Sequence, residues 1–205
     1  MDRMLRFMRL SGACVAVALL TACAFGTRNA TLLYPPKGDA GVVPAAQAAV
    51  VPAPAKGAIT LVTFVDQRTD KNAIGTMRNG FGMRTADVLA DNSVTDWVTQ
   101  AVKLELEKSG YAVTLGGPQA AGAVVKGEVL KVFCDMYMSY TGQVSLRLQL
   151  SRDGQDLITR NYDGEGSAGI AFAGTAASFA ESLSRALAAA LKPVVAELDG
   201  SLRAP

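Results

Sequence analysis

A chain of 205 residues, half of them apolar, is long enough to bury a core of ordinary domain size. It carries 20 Lys plus Arg, 18 Asp plus Glu and no His, which excludes Ser-His and Cys-His nucleophile pairs, imidazole general bases and His-ligated zinc. The formal charge of +2 points to an acidic partner only if the basic residues survive processing.

Residues 1–9 hold Arg3, Arg6 and Arg9 against Asp2, and Leu10 to Leu20 then runs without a charge. A positive segment followed by a short apolar run is the pattern of a secretory signal peptide, too short to span a bilayer. The run ends in Leu20-Thr21-Ala22-Cys23, which resembles the lipobox of bacterial lipoproteins: an aliphatic residue, two small ones, then the acylated cysteine. The bland alternative is a conventional signal peptide with Cys23 an incidental thiol. The lipobox resemblance implies a signal peptide over 1–22 and lipid attachment (palmitate among the acyl chains) at Cys23. Because Ala24, and not Asp, follows the cysteine, it also implies sorting to the outer membrane, facing the periplasm. Several acyl chains hold stably, since each buried methylene contributes roughly 0.8 kcal/mol. Cleavage removes three of the 20 basic and one of the 18 acidic residues, so the mature side chains sum to zero. That withdraws the charge argument for nucleic acid, and no nucleic-acid partner is expected.

From Ala24 to Gly57 the chain holds five of its eight prolines among repeated Ala and Val, and reads as a tether over residues 23–57. As a coil it would reach about 30 to 35 Å, and fully extended about 105 Å. Thr31-Leu32-Leu33-Tyr34 is β-prone enough to lie on the domain as an edge strand.

A single domain is expected over residues 58–202. Ile59 to Val65 is a compact β-branched run and predicts a buried strand. Ser93-Val94-Thr95-Asp96 resembles a capping box; Val94, Trp97, Val98, Ala101 and Leu104 follow helical spacing, and Gly110 supplies the stop. Tyr111 to Leu115 predicts a strand, and Gly122 to Met138 a long one with a bulge near Gly127 or Lys131. Val144, Leu146, Leu148 and Leu150 alternate with Ser145, Arg147, Gln149 and Ser151, so one face is buried and the other wet. Asp153-Gly154 is a hairpin turn, with Leu157 to Tyr162 returning. Phe179, Leu183, Leu187, Leu191, Val194 and Leu198 mark a final helix over about 175–199, in which Pro193 should introduce a bend. The fold class is α+β: a mixed, mainly antiparallel sheet of about four to five strands with two helices packed on one face.

Two loops carry candidate chemistry. Asp66 and Asp70 could accept hydrogen bonds or a cation, and Arg68 could clamp a phosphate or carboxylate; alternatively the carboxylates serve the following turn while Arg68 is solvated. Arg78, Phe81, Met83 and Arg84 suit a protein or lipid-headgroup contact, unless Phe81 caps the sheet. Gly164-Glu165-Gly166-Ser167-Ala168-Gly169 matches G-x-G-x-x-G but opens no helix directly and reads as a flexible loop, not a nucleotide site. Cys134 is left alone as a small buried residue.

A strand ending in Asp66-Gln67-Arg68-Thr69-Asp70, the Arg78-Asn79-Gly80-Phe81-Gly82 loop, a Trp-bearing helix closing with Glu107-Lys108-Ser109-Gly110-Tyr111, and a meander with a C-terminal helix, all behind a lipobox, resemble the YajG family of bacterial lipoproteins. The resemblance implies an envelope lipoprotein without enzymatic activity; related architectures serve lipid-export systems and cell-wall synthase activators. The expectation is a non-enzymatic binding or accessory module anchored through Cys23, with Asp66, Arg68, Asp70, Arg78, Phe81 and Arg84 as contacts for an envelope protein partner. No metal, cofactor or catalytic residue is expected. The alternative is a lipid- or glycan-handling accessory subunit with an apolar groove, and an enzyme pairing Asp66 with Asp70 or Glu128 comes third.

Overall fold

The computed structural model of the chain describes residues 26–36, 56–170 and 175–203. Among them lie nine strands and two helices: β1 (Gly26–Ala30), β2 (Ala58–Leu61), β3 (Val65–Asp66), β4 (Ala73–Arg78), β5 (Arg84–Ala90), α1 (Val94–Lys108), β6 (Ala112–Leu115), β7 (Ala123–Met136), β8 (Ser139–Arg152), β9 (Gln155–Ile170) and α2 (Ala176–Arg203). The α+β class holds, but one mixed sheet of nine strands replaces the four or five expected.

The spine is β7. Along one edge it pairs antiparallel with β8 over its whole length, with a register shift between Val129 and Lys131 that places the expected bulge. Along the other edge it takes three short parallel partners in succession: β2 at Ala123 to Val125, β3 at Glu128 and Val129, and β4 at Cys134 to Met136. The run from Ile59 to Val65 is therefore two strands, not one. Beyond β4 the sheet continues through antiparallel β5 to parallel β1.

On β8, Val144, Leu146, Leu148 and Leu150 are buried while Ser145, Arg147, Gln149 and Ser151 face outward, as the alternation requires. Asp153 and Gly154 both take positive φ in the turn to β9, at 51° and 83°. Ser93 caps α1, its hydroxyl accepting the Asp96 N–H at 3.2 Å. The buried faces of both helices join a single core with Val125, Val129, Leu146 and Leu148.

The glycine run expected to be a flexible loop belongs to β9. A Cβ at Gly164 would lie 2.1 Å from the Ala186 carbonyl oxygen, and one at Gly166 would lie 2.4 Å from the Ala186 nitrogen. These glycines let the backbone of α2 rest directly on the strand, so their role is close packing and not pliability.

The stretch expected to be tether is interrupted. Strand β1 and the residues after it lie on the domain, with Ala30 and Leu32 buried. Asn92 holds Leu32 from both sides, accepting its N–H at 2.8 Å and donating to its carbonyl at 3.0 Å. The Trp97 indole N–H donates to the Leu33 carbonyl at 3.0 Å, and the Tyr34 hydroxyl donates to Glu105 at 3.0 Å. The described segment thus includes the proposed 31–34 edge, but its strand lies earlier, at Gly26–Ala30. At the other boundary Lys56 pairs with Asp199 at 2.9 Å.

Candidate functional site

The loop leaving β3 closes on itself. Arg68 is 6% exposed. Its guanidinium donates to both carboxylate oxygens of Asp66, at 3.0 and 2.9 Å, and to the carbonyls of Lys71 and Ala73 at 3.0 and 3.4 Å. Asp70 accepts the backbone N–H groups of Asn72 and Ala73 at 2.9 and 3.2 Å. The Arg68 hydrogen bond holds the Asp66 carboxyl below its ordinary range against an opposing effect of burial. The two backbone donors do the same for Asp70. Both expectations for Arg68, a clamp for a ligand or a solvated cation, are corrected: its donors are committed inside the loop.

The hairpin between β4 and β5 is built the opposite way. The Asn79 side-chain oxygen accepts the N–H groups of Phe81 and Met83, each at 3.0 Å, and Gly82 turns the chain at a φ of +80°. Arg78 grips Asp135 of β7 at 2.9 and 3.1 Å and donates to the Gly82 carbonyl at 3.2 Å, which fixes the hairpin to the spine. Arg84 pairs with Asp87 and keeps a largely exposed side chain. With its framework fastened from below, the tip presents Phe81 at 89% exposure and Met83 at 60%. Phe81 does not cap the sheet.

The expected contact residues thus fall into two clusters. Asp66, Arg68 and Asp70 form one; Arg78, Phe81 and Arg84 form the other, beside the β7–β8 turn. There Tyr137 donates to the Gly80 carbonyl at 3.4 Å, and Met138 is exposed. Tyr137 and Met138 were missed because Met136-Tyr137-Met138 reads as continuing strand; only the close return of β8 marks a turn. Cys134 is buried, and burial pushes its thiol up to about 12. Cys23 lies outside the described residues.

A groove of about 700 Å³ runs between the segment after β1 and the first half of α2, lined by Thr31, Leu33, Pro35, Ala177, Glu181 and Ser184. The buried Ser184 hydroxyl has no hydrogen-bond partner among the described residues. No described helix is long and apolar enough to cross a membrane.

A family model described as an uncharacterized lipoprotein matches residues 44–199. No curated protein matches the chain. Among solved structures, protein XCC0632 of Xanthomonas campestris, assigned to the DUF330 family, is 12% identical with a TM-score of 0.54, covering 86% of this chain and 95% of that one. An uncharacterized protein is 8% identical with a TM-score of 0.54 over 85% and 99%. The hypothetical protein CT253 of Chlamydia trachomatis is 12% identical with a TM-score of 0.52 over 74% and 100%. At these identities the likeness shows a shared fold.

Proposed function

The chain belongs to this family of uncharacterized lipoproteins, the YajG family, and from that premise we propose that it is an outer-membrane lipoprotein, acylated on Cys23, whose periplasmic domain is a non-enzymatic accessory module of the cell envelope. The observation that carries the reading is Leu20-Thr21-Ala22-Cys23 placed directly after a basic segment and an apolar run, in a chain of this family. Ala24 supports the outer-membrane address. The loop after β3 supports a binding module over an enzyme, because its carboxylates serve Arg68 and backbone N–H groups. The domain presents apolar side chains at a rigid hairpin, which suits contact with another envelope component.

Palmitate labelling and density-gradient fractionation of cells expressing wild type or Cys23→Ser test this reading. Wild type should incorporate label and sediment with outer membranes, and the variant should incorporate none. Label on the variant overturns the assignment of Cys23.

The groove beside α2 favours a second reading, a lipid-handling accessory. Its lining sets Leu33, Pro35 and Ala177 beside Asp91, Glu181 and Arg185, a composition suited to an amphipathic ligand with an apolar part and a charged headgroup. Native mass spectrometry of the purified domain separates the two: retained phospholipid favours the carrier, and a bare domain favours the binding module.

A further inference from the structure

Five of the exposed large apolar side chains collect at one end of the sheet. The parallel pairing of Met77 with Met136 puts the β4–β5 hairpin beside the β7–β8 turn, bringing Phe81 and Met83 alongside Tyr137 and Met138. The Tyr137 ring lies 3.8 Å from where a Cβ on Gly82 would stand. The pairing of Ser139 with Ile170 brings the end of β9 to the same edge, where Ile170 is 74% exposed. Arg84 stands at the base of the hairpin. Flexible charged side chains, the usual cover of a strand end, are replaced here by Phe, two Met, Tyr and Ile.

The same end receives the start of β1. Strand β1 runs parallel to β5 with Gly26 opposite Ala86, two residues beyond Arg84. Cys23 precedes Gly26 by three residues, and three residue steps reach at most about 11 Å. If Cys23 is lipidated, the membrane surface passes within that distance of the start of β1, at the edge where the apolar side chains project. Resting on the anchor reading above, we propose that Phe81, Met83, Tyr137, Met138 and Ile170 form a second membrane contact that enters the phospholipid headgroup region and fixes the orientation of the domain. The chemistry matches the place: apolar side chains insert, the amphipathic Tyr137 suits the interface, and the Arg84 guanidinium meets lipid phosphates. The acyl chains supply most of the affinity, and the contact supplies the angle. It also leaves the polar outer face of the meander, with Arg147 against Glu128 and Asn161, turned away from the bilayer and open to the periplasm.

The test uses the lipidated protein in vesicles of phosphatidylethanolamine and phosphatidylglycerol. Phe81→Cys, Met138→Cys and Asp156→Cys each receive an environment-sensitive fluorophore; the buried Cys134 does not compete, and a lipidated Cys23 has no free thiol. Position 156 sits at the far end of the meander, beside the β8–β9 turn. Brominated phospholipid should quench the labels at 81 and 138 at least about two-fold and leave 156 unchanged, as burial to headgroup depth requires. Intact mass reports acylation separately. Acyl chains present with 81 and 138 unquenched overturn the contact while the anchor stands; acyl chains absent overturn the anchor reading and this proposal with it. Concentration-dependent shielding of both labels in the lipid-free domain, matched by dimer in sedimentation, assigns the face to a second copy and overturns it as well.

Discussion

Two loops, one leaving β3 and one joining β4 to β5, resolve into opposite structures. Each offers arginine, polar turn residues and a link to the sheet. In the first, the guanidinium of Arg68 is the centre, and Asp66, Lys71 and Ala73 close around it. In the second, Asn79 and Arg78 organise the backbone from within and from below, and apolar side chains are left outside. The difference lies in what each charge has within reach. Asp66 sits two residues from Arg68 on the same turn, whereas Arg78 finds its carboxylate 57 residues away, on the spine strand. In both loops the arginines are spent on holding the chain, and what a loop offers a partner is whatever side chains that framework leaves outside.

Four substitutions sharpen that contrast, ordered by expected size. Arg68→Ala should be the most costly, about 3 kcal/mol in denaturant unfolding, because it leaves the Asp66 carboxylate and the Lys71 and Ala73 carbonyls without their donor. Asp66→Asn should cost about 2 kcal/mol at neutral pH through loss of a charge-assisted bidentate pair. It should also flatten the acid limb of the stability profile. The carboxyls of Asp66 and Asp70 are held below their ordinary value of 3.8, so the unfolded chain takes up protons first. Their stabilisation is complete above that value and is lost as pH falls through the folded-state values, and Asp66→Asn removes one share of the slope. Asn79→Ala should cost about 1 kcal/mol, since two hairpin N–H groups lose their acceptor but can turn to water. Phe81→Ser should stay within about 0.5 kcal/mol of wild type in the lipid-free domain, as expected of a side chain that touches little. An Arg68→Ala protein as stable as wild type, or a Phe81→Ser protein that unfolds early, would dissolve the distinction.

Legibility in the sequence followed how local each cause was. The buried face of β8, the Ser93 cap and the Asp153-Gly154 turn depend on neighbours a few residues away, and all three were readable. Strand β1 was not. Gly26 to Ala30 is polar, only Ala30 is buried, and its pairing partner lies 60 residues on. Strands β4 and β5 escaped for a related reason: Ala73-Ile74-Gly75-Thr76 has no alternation because all four residues are buried. Gly75 is there because the Cys134 carbonyl lies 2.5 Å from where its Cβ would stand. The glycines of β9 mislead in the same way, since flexibility is a property of glycine in isolation and close approach is a property of its neighbour. At the candidate site the sequence marked both the hairpin and the loop after β3 but could not weigh one against the other. Exposure there is decided by Arg78 reaching Asp135 and by Arg68 failing to reach water.

The attachment of Leu32 to Tyr34 along α1 has a bearing on chain length. Pro36 and Lys56 both sit on the folded domain, so the 19 residues between them join two fixed points and do not separate the domain from Cys23. An insertion there is a loop expansion, and doubling it costs only about 0.6 kcal/mol of closure entropy. One residue added between Ala24 and Gly26, by contrast, lengthens the only chain between Cys23 and the fold by about 3.5 Å. If Cys23 carries the anchor, distance from the membrane is written in two residues, Ala24 and Phe25, and the length of the proline-rich segment does not enter it.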